Sequence, residues 1–104
     1  MRENAYRQRV EGRLKQWGGL WTSAWGGPYS TSGVGDKIGC VDGLYVEIEF
    51  KNPSFDDPKK GLTKNQWARM SQVRAHGGIY IVNNDEEELF KQLNEIRQRA
   101  QSNR

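Results

Sequence analysis

Residues 36–51 read DKIGCVDGLYVEIEFK, and this stretch decides the fold. The dipeptide Asp42-Gly43 separates two strand-like runs and suits the positive φ angles of a two-residue type I′ turn. The sequence therefore predicts a β-hairpin with strands over residues 36–41 and 44–51. A two-residue turn pairs Val41 with Leu44, and continuing that register outward places Asp36 opposite Glu49.

The second strand of this hairpin has a polar face and an apolar face, because successive side chains alternate. The polar face carries Tyr45, Glu47, Glu49 and Lys51, and the other face carries Val46, Ile48 and Phe50. Directly opposed Cβ atoms lie roughly 4.5–5.5 Å apart, so Asp36 and Glu49 repel each other unless a cation or solvent separates them. One interpretation is a divalent metal held by this pair, with Lys51 beside it. The alternative is a polar strand face that lies in solvent.

The segments before the hairpin predict a helix and a short strand. Apolar residues recur every three to four positions between Glu3 and Trp17, which is typical of an amphipathic helix. A strand from Leu20 to Trp25 and an exposed loop through Gly35 follow. Glu3 lies close to the direction of the apolar stripe, so it is either an additional metal ligand or an acid that favours the helix N-terminus.

The segments after the hairpin predict a surface loop, two helices and one strand. Thr63 is placed to cap a helix that runs to about His76, and residues 79–82 form a buried strand. Asp85 and Glu88 form a capping box for a last helix. The element order αβββαβα predicts one domain, residues 1–104, of the α/β (α+β) class with a mixed sheet flanked by helices.

Composition excludes several kinds of site. The chain of 104 residues has one cysteine and one histidine, which rules out an intrachain disulfide, a cysteine zinc cage and a histidine-rich metal site. Cys40 is expected to be a small buried side chain. The net charge of +3 suits phosphate contact, and no apolar run is long enough for a membrane span. These features predict a soluble, cytoplasmic protein.

Four segments together match a known pattern. They are Gly33-Val34-Gly35-Asp36, Ile48-Glu49-Phe50-Lys51, Leu62-Thr63-Lys64-Asn65-Gln66 and the helix end at Gly77-Gly78. From residue 3 to about residue 84 the chain resembles the VRR-NUC family of the PD-(D/E)XK nuclease superfamily, in the small stand-alone form found in phages. The resemblance implies a restriction-endonuclease-like αβββαβ core, followed here by a C-terminal helix.

The resemblance also implies a catalytic site. Asp36 and Glu49 would bind Mg²⁺ or Mn²⁺, the Phe50 carbonyl would complete the metal shell, and Lys51 would be the catalytic lysine. Glu3 resembles the family's N-terminal helix acid, and Gln66 resembles the glutamine that opens the second helix beside the active site.

The chain departs from the family at two positions. Gly35 stands where many members have proline, which makes the approach to Asp36 more flexible. Glu47 is an extra acid on the polar face, either a second-metal ligand or a solvated neighbour, and we adopt the solvated neighbour.

The implied activity is cleavage of branched DNA, such as a four-way (Holliday) junction, by a homodimer. Four cations near the predicted active edge are expected to contact phosphates, or else to form a solvated surface: Lys59, Lys60, Lys64 and Arg69. Trp17, Trp21, Trp25 and Tyr29 recur every four residues, which indicates core or interface packing or stacking on unpaired bases. A non-catalytic DNA-binding or assembly module with the same fold is the alternative function.

Overall fold

The computed structural model describes residues 2–24 and 33–103, and their elements follow the predicted αβββαβα order. The helices and strands are α1 (Glu3–Trp17), β1 (Leu20–Ser23), β2 (Lys37–Val41), β3 (Leu44–Phe50), α2 (Lys64–Ala75), β4 (Ile79–Asn83) and α3 (Glu86–Ser102). A short 3₁₀ helix, Pro58–Gly61, lies in the region predicted to be a loop. It forms because Pro58 suits a first helical turn and the Asp57 side chain accepts a hydrogen bond from the Lys59 amide.

The four strands form one mixed sheet, as predicted, and their order in the sheet is β1-β2-β3-β4. The first three strands are antiparallel, and β4 runs parallel to β3. The hairpin register is confirmed, since Val41 pairs with Leu44 and Lys37 pairs with Ile48. Asp42 and Gly43 have φ angles of 49° and 91°, as a type I′ turn requires.

Helices cover both faces of the sheet. The apolar face of β3 packs with α1 and α3 in the main core, where Val10, Val46, Ile48, Leu89 and Leu93 are fully buried. On the other face, Met70 and Val73 of α2 form a second cluster with Tyr80 of β4. The polar face of β3 therefore lies beneath α2, which explains why charged side chains can be buried there.

The helix starts agree with the predicted caps. The Thr63 hydroxyl accepts a hydrogen bond from the Gln66 amide, and the Gln66 side chain accepts one from the Thr63 amide, which completes a capping box. The Asp85 carboxylate accepts a hydrogen bond from the Glu88 amide at the start of α3. These caps fix the N-terminus of α2, and with it the position of Gln66.

The structure differs from the sequence predictions in two places on β1 and β2. Strand β1 ends at Ser23 rather than Trp25; Trp25 and Tyr29 lie outside the described residues. Cys40 is exposed rather than buried, because it pairs across the hairpin with the half-exposed Tyr45 and shares its face. Trp17 and Trp21 pack against the main core, in agreement with the packing interpretation. None of the described helices is long and apolar enough to cross a membrane.

Candidate active site

Asp36 and Glu49 lie across from each other at the open end of the hairpin. The observed register ends at Lys37 and Ile48, and one further step brings Asp36 opposite Glu49. The Asp36 backbone carbonyl accepts a hydrogen bond from the Ala24 amide at 3.1 Å. Its side-chain Oδ2 accepts another from the Phe50 amide at 2.8 Å. The first bond ties the Asp36 backbone to the end of β1, and the second holds its carboxylate against β3, beside Glu49.

Glu49, Lys51 and Gln66 form a hydrogen-bonded group at the end of β3. Gln66 Nε2 donates to Glu49 Oε1 at 2.9 Å, and Lys51 Nζ donates to Gln66 Oε1 at 2.9 Å. Lys51 Nζ also lies 3.4 Å from Glu49 Oε1. Since Glu49 is 5% exposed and Lys51 is 8% exposed, the ion pair is largely shielded from water. The structure therefore brings together three of the residues predicted for the site, with Gln66 as the bridge.

The Glu49 carboxyl group has a raised pKa. Burial is the largest cause, the negative charge of Asp36 is the second, and the neighbouring Lys51 opposes them; together they raise the pKa of Glu49 from 4.5 to about 7. The Glu3 charge contributes in the same direction. The one nearby lysine therefore does not compensate the negative charge of the site, and a further cation would favour the ionised form of Glu49.

Glu47 is not the solvated neighbour expected from the sequence, because α2 covers it completely. Its side chain is 0% exposed and forms an ion pair with Arg69, with Nη2 of Arg69 2.7 Å from Glu47 Oε2. The Gly35 amide and the Tyr45 hydroxyl also donate to Glu47, at 3.0 and 2.6 Å. Burial acts to raise the pKa of Glu47, but the bonds from Arg69, Gly35 and Tyr45 outweigh it and leave the pKa lowered.

Arg69 was predicted to contact phosphates or to lie on a solvated surface, and its guanidinium forms an ion pair with the buried Glu47. Its role toward DNA stays a prediction. The spacing of these residues in the sequence is compatible with the pairing of Arg69 with Glu47 and of Gln66 with Glu49. Gln66 and Arg69 are three residues apart on a helix, and Glu47 and Glu49 are two residues apart on a strand. Three helical residues span about 4.5 Å and two strand residues about 6.6 Å, so two long side chains reach two acids in antiparallel order. Recognising it requires knowing that α2 lies over β3.

Arg7 is a neighbour of the site that the sequence analysis missed. Its Nη1 lies 3.8 Å from Asp36 Oδ1, and its Nε lies 3.5 Å from Glu11 of the same helix. Arg7 follows the buried Tyr6 on α1, so helical spacing alone would have placed it beside the apolar stripe. This weak contact adds a positive charge on the α1 side of Asp36.

The other predicted residues do not join the cluster. Glu3 is exposed at the first position of α1, and the Phe50 side chain is buried in the main core, so only the Phe50 backbone faces the site. Within residues 2–24 and 33–103, no group of three or more histidine, cysteine, aspartate or glutamate side chains is placed to hold a metal ion. Glu3 and the Phe50 carbonyl stay predictions as ligands.

The three predicted lysines lie on the surface near the start of α2. Lys59 and Lys60 belong to the 3₁₀ helix, Lys64 is the first residue of α2, and all three are exposed. Lys60 Nζ lies 3.2 Å from Asp56 Oδ2 in an exposed ion pair. Their roles toward DNA stay predictions.

Comparison with known proteins gives a partial match. No protein-family model matches the chain, and no solved structure does. The chain is 38% identical over 69 residues to ribosomal RNA small subunit methyltransferase H from two strains of Ureaplasma parvum serovar 3. The match covers 59% of this chain and 22% of the relative, so the chain spans about a fifth of the length of the curated relatives that it matches.

Proposed function

We propose that this chain is a metal-dependent DNA endonuclease that hydrolyses phosphodiester bonds, with branched DNA as its substrate. The observation that carries the proposal is the opposed pair Asp36 and Glu49, joined to Lys51 through Gln66. Burying Glu49 and Lys51 next to the partly exposed Asp36 costs stability unless the site gains something from it. The family resemblance supplies the substrate class.

The donor set fits Mg²⁺ or Mn²⁺. Both ions prefer oxygen ligands such as the carboxylates of Asp36 and Glu49. The pKa of Glu49 is raised first by burial and then by the Asp36 charge, and a divalent ion would offset both effects by favouring the ionised form. When bound, such an ion would supply Lewis acidity toward a phosphate oxygen. Two carboxylates are few for a site made only of protein ligands. Mg²⁺, however, commonly keeps several water ligands and binds only one or two protein carboxylates.

Lys51 is the group that we assign to charge stabilisation. Its ammonium is held by Gln66 and stands next to Glu49, in a setting where little water screens it. A fixed positive charge there stabilises the extra negative charge that a phosphate acquires during attack by water, or orients that water. Gln66 positions both groups, because it accepts from Lys51 and donates to Glu49.

The exposed lysines of the 3₁₀ helix and α2 would contact the DNA backbone beside this site. A homodimer would present two such sites to two strands, and it would also bury apolar side chains that the described chain leaves on its surface. Among these are Leu20, Phe55 and Trp67.

A cleavage assay tests the proposal. A labelled four-way junction and a linear duplex of the same sequence are incubated with the protein and Mg²⁺, beside a reaction with EDTA. We expect metal-dependent cleavage that falls by about 100-fold or more in Lys51→Ala. Lys91→Ala, on the exposed side of α3, is the matched control and should cleave normally. DNA binding without metal-dependent cleavage would instead support the non-catalytic DNA-binding module.

A further inference from the structure

We propose that Glu47 is a positioning residue that fixes residues 33–36 on the sheet and so holds Asp36 in place for the metal. The inference rests on the proposed function, because it concerns the same site. Glu47 acts through the Gly35 amide, one residue before Asp36.

This segment is attached by two hydrogen bonds and by close backbone contacts. The Gly35 amide donates to Glu47 Oε1 at 3.0 Å, and the Tyr80 hydroxyl donates to the Gly33 carbonyl at 3.1 Å. A Cβ added to Gly35 would lie 3.0 Å from the Ile48 carbonyl oxygen, and one added to Gly33 would lie 2.2 Å from the Asn65 carbonyl oxygen. The segment therefore runs in close backbone contact with β3 on one side and α2 on the other.

Glu47 itself is held from three directions. Its carboxylate is fully buried, and Arg69, Tyr45 and Gly35 all donate hydrogen bonds to it. A buried carboxylate with these three donors is fixed in one position, so it links the position of α2, through Arg69, to the Gly35 backbone. Buried ion pairs of this kind add little net stability, which favours a role in fixing geometry.

The residue at position 35 must both donate its amide and approach β3 closely. Proline has no backbone N–H, so a proline at position 35 would be unable to make the bond to Glu47. Glycine supplies that donor and permits the close approach to Ile48, but it leaves the backbone free to move. Glu47 removes that freedom. Gly35 and Glu47 together thus fix the backbone conformation of the residues that precede Asp36.

The test measures amide hydrogen exchange in the metal-free protein and then the affinity for Mn²⁺. In the metal-free protein, amide hydrogen exchange reports the Gly35 bond to Glu47 and the Phe50 bond to Asp36. Glu47→Ala should speed exchange at both amides by about tenfold or more, and should weaken Mn²⁺ binding by about 10- to 100-fold. Leu93→Ala, which leaves a cavity in the main core on the opposite face of the sheet, is the matched control for lost stability. It should neither speed exchange at these two amides nor weaken Mn²⁺ binding.

The outcomes separate this inference from the proposed function. Exchange at Gly35 and Phe50 that matches the Leu93→Ala control would overturn the positioning role. If the wild-type protein binds no Mn²⁺, the proposed function fails, and the exchange data still decide whether Glu47 holds Asp36. If Glu47→Ala does not fold, Glu47→Leu, which keeps a similar side-chain volume and has no oxygen to accept the Gly35 bond, decides by the same two measurements.

Discussion

Replacing Glu49 with glutamine should make the metal-free protein more stable at alkaline pH. Glu49 is buried beside Asp36, and its pKa is raised from 4.5 to about 7 by burial and then by the Asp36 charge, against the opposing effect of Lys51. A rise of this size corresponds to about 3 kcal/mol of free energy of unfolding. Glutamine keeps the shape and can still accept the Gln66 hydrogen bond, but it carries no charge.

The direction of the effect follows from proton binding. Between about pH 4.5 and pH 7, the folded protein keeps the Glu49 proton that the unfolded chain has released. The free energy of unfolding of the wild type therefore falls as the pH rises through this window and stays lowered above it. Glu49→Gln lacks this loss, so the two proteins should be similar near pH 4, and the variant should be more stable by about 1–3 kcal/mol at pH 8.

Urea unfolding in EDTA at pH 4.5 and pH 8 measures this difference. Glu95→Gln, at an exposed position on α3, is the control and should change stability by less than about 0.5 kcal/mol at either pH. Adding Mg²⁺ at pH 8 should then stabilise the wild type and leave Glu49→Gln unchanged. Parallel pH profiles for wild type and Glu49→Gln, or a variant that is less stable at pH 8, would refute the electrostatic account of the site.

Three further predictions concern the neighbours of this pair. Arg69→Ala should lower the free energy of unfolding by about 3–5 kcal/mol at pH 7 in urea unfolding, because it leaves Glu47 buried without its cation, and a loss below about 1 kcal/mol would contradict this. Gln66→Ala should reduce the cleavage rate at saturating DNA while DNA affinity in a gel-shift assay stays unchanged, whereas equal loss of both would indicate a binding role. A triple alanine variant removes the exposed cations Lys59, Lys60 and Lys64. It should reduce the slope of log affinity for DNA against log salt by about one for each lysine that contacts a phosphate, and an unchanged slope would show that none does.

The sequence was sufficient to predict the hairpin because its information is local. The dipeptide Asp42-Gly43 sets the turn, the turn sets the register, and the register brings Asp36 beside Glu49. The capping box at Thr63 was likewise predicted correctly, and so was the Asp85 bond to the Glu88 amide, one of the two bonds of the box predicted there; each depends on residues three positions apart.

The environment of the polar face was not predictable in the same way. Alternation along β3 shows which side chains share a face, but it does not show what covers that face. Glu47 was expected in solvent and is buried because α2 crosses above it, while Cys40 was expected in the core and is exposed. Both errors arise from contacts between segments distant in sequence, such as Glu47 with Arg69, which no local pattern specifies.

The central claim is that Asp36 and Glu49 share a divalent cation. Titrating Mn²⁺ into the protein at pH 8, with the free ion followed by electron paramagnetic resonance, tests it most directly. We predict saturable binding by the wild type and by Glu95→Gln, weakened by at least about tenfold in both Asp36→Asn and Glu49→Gln. Absence of binding in the wild type, or equal binding by all four proteins, would contradict the claim.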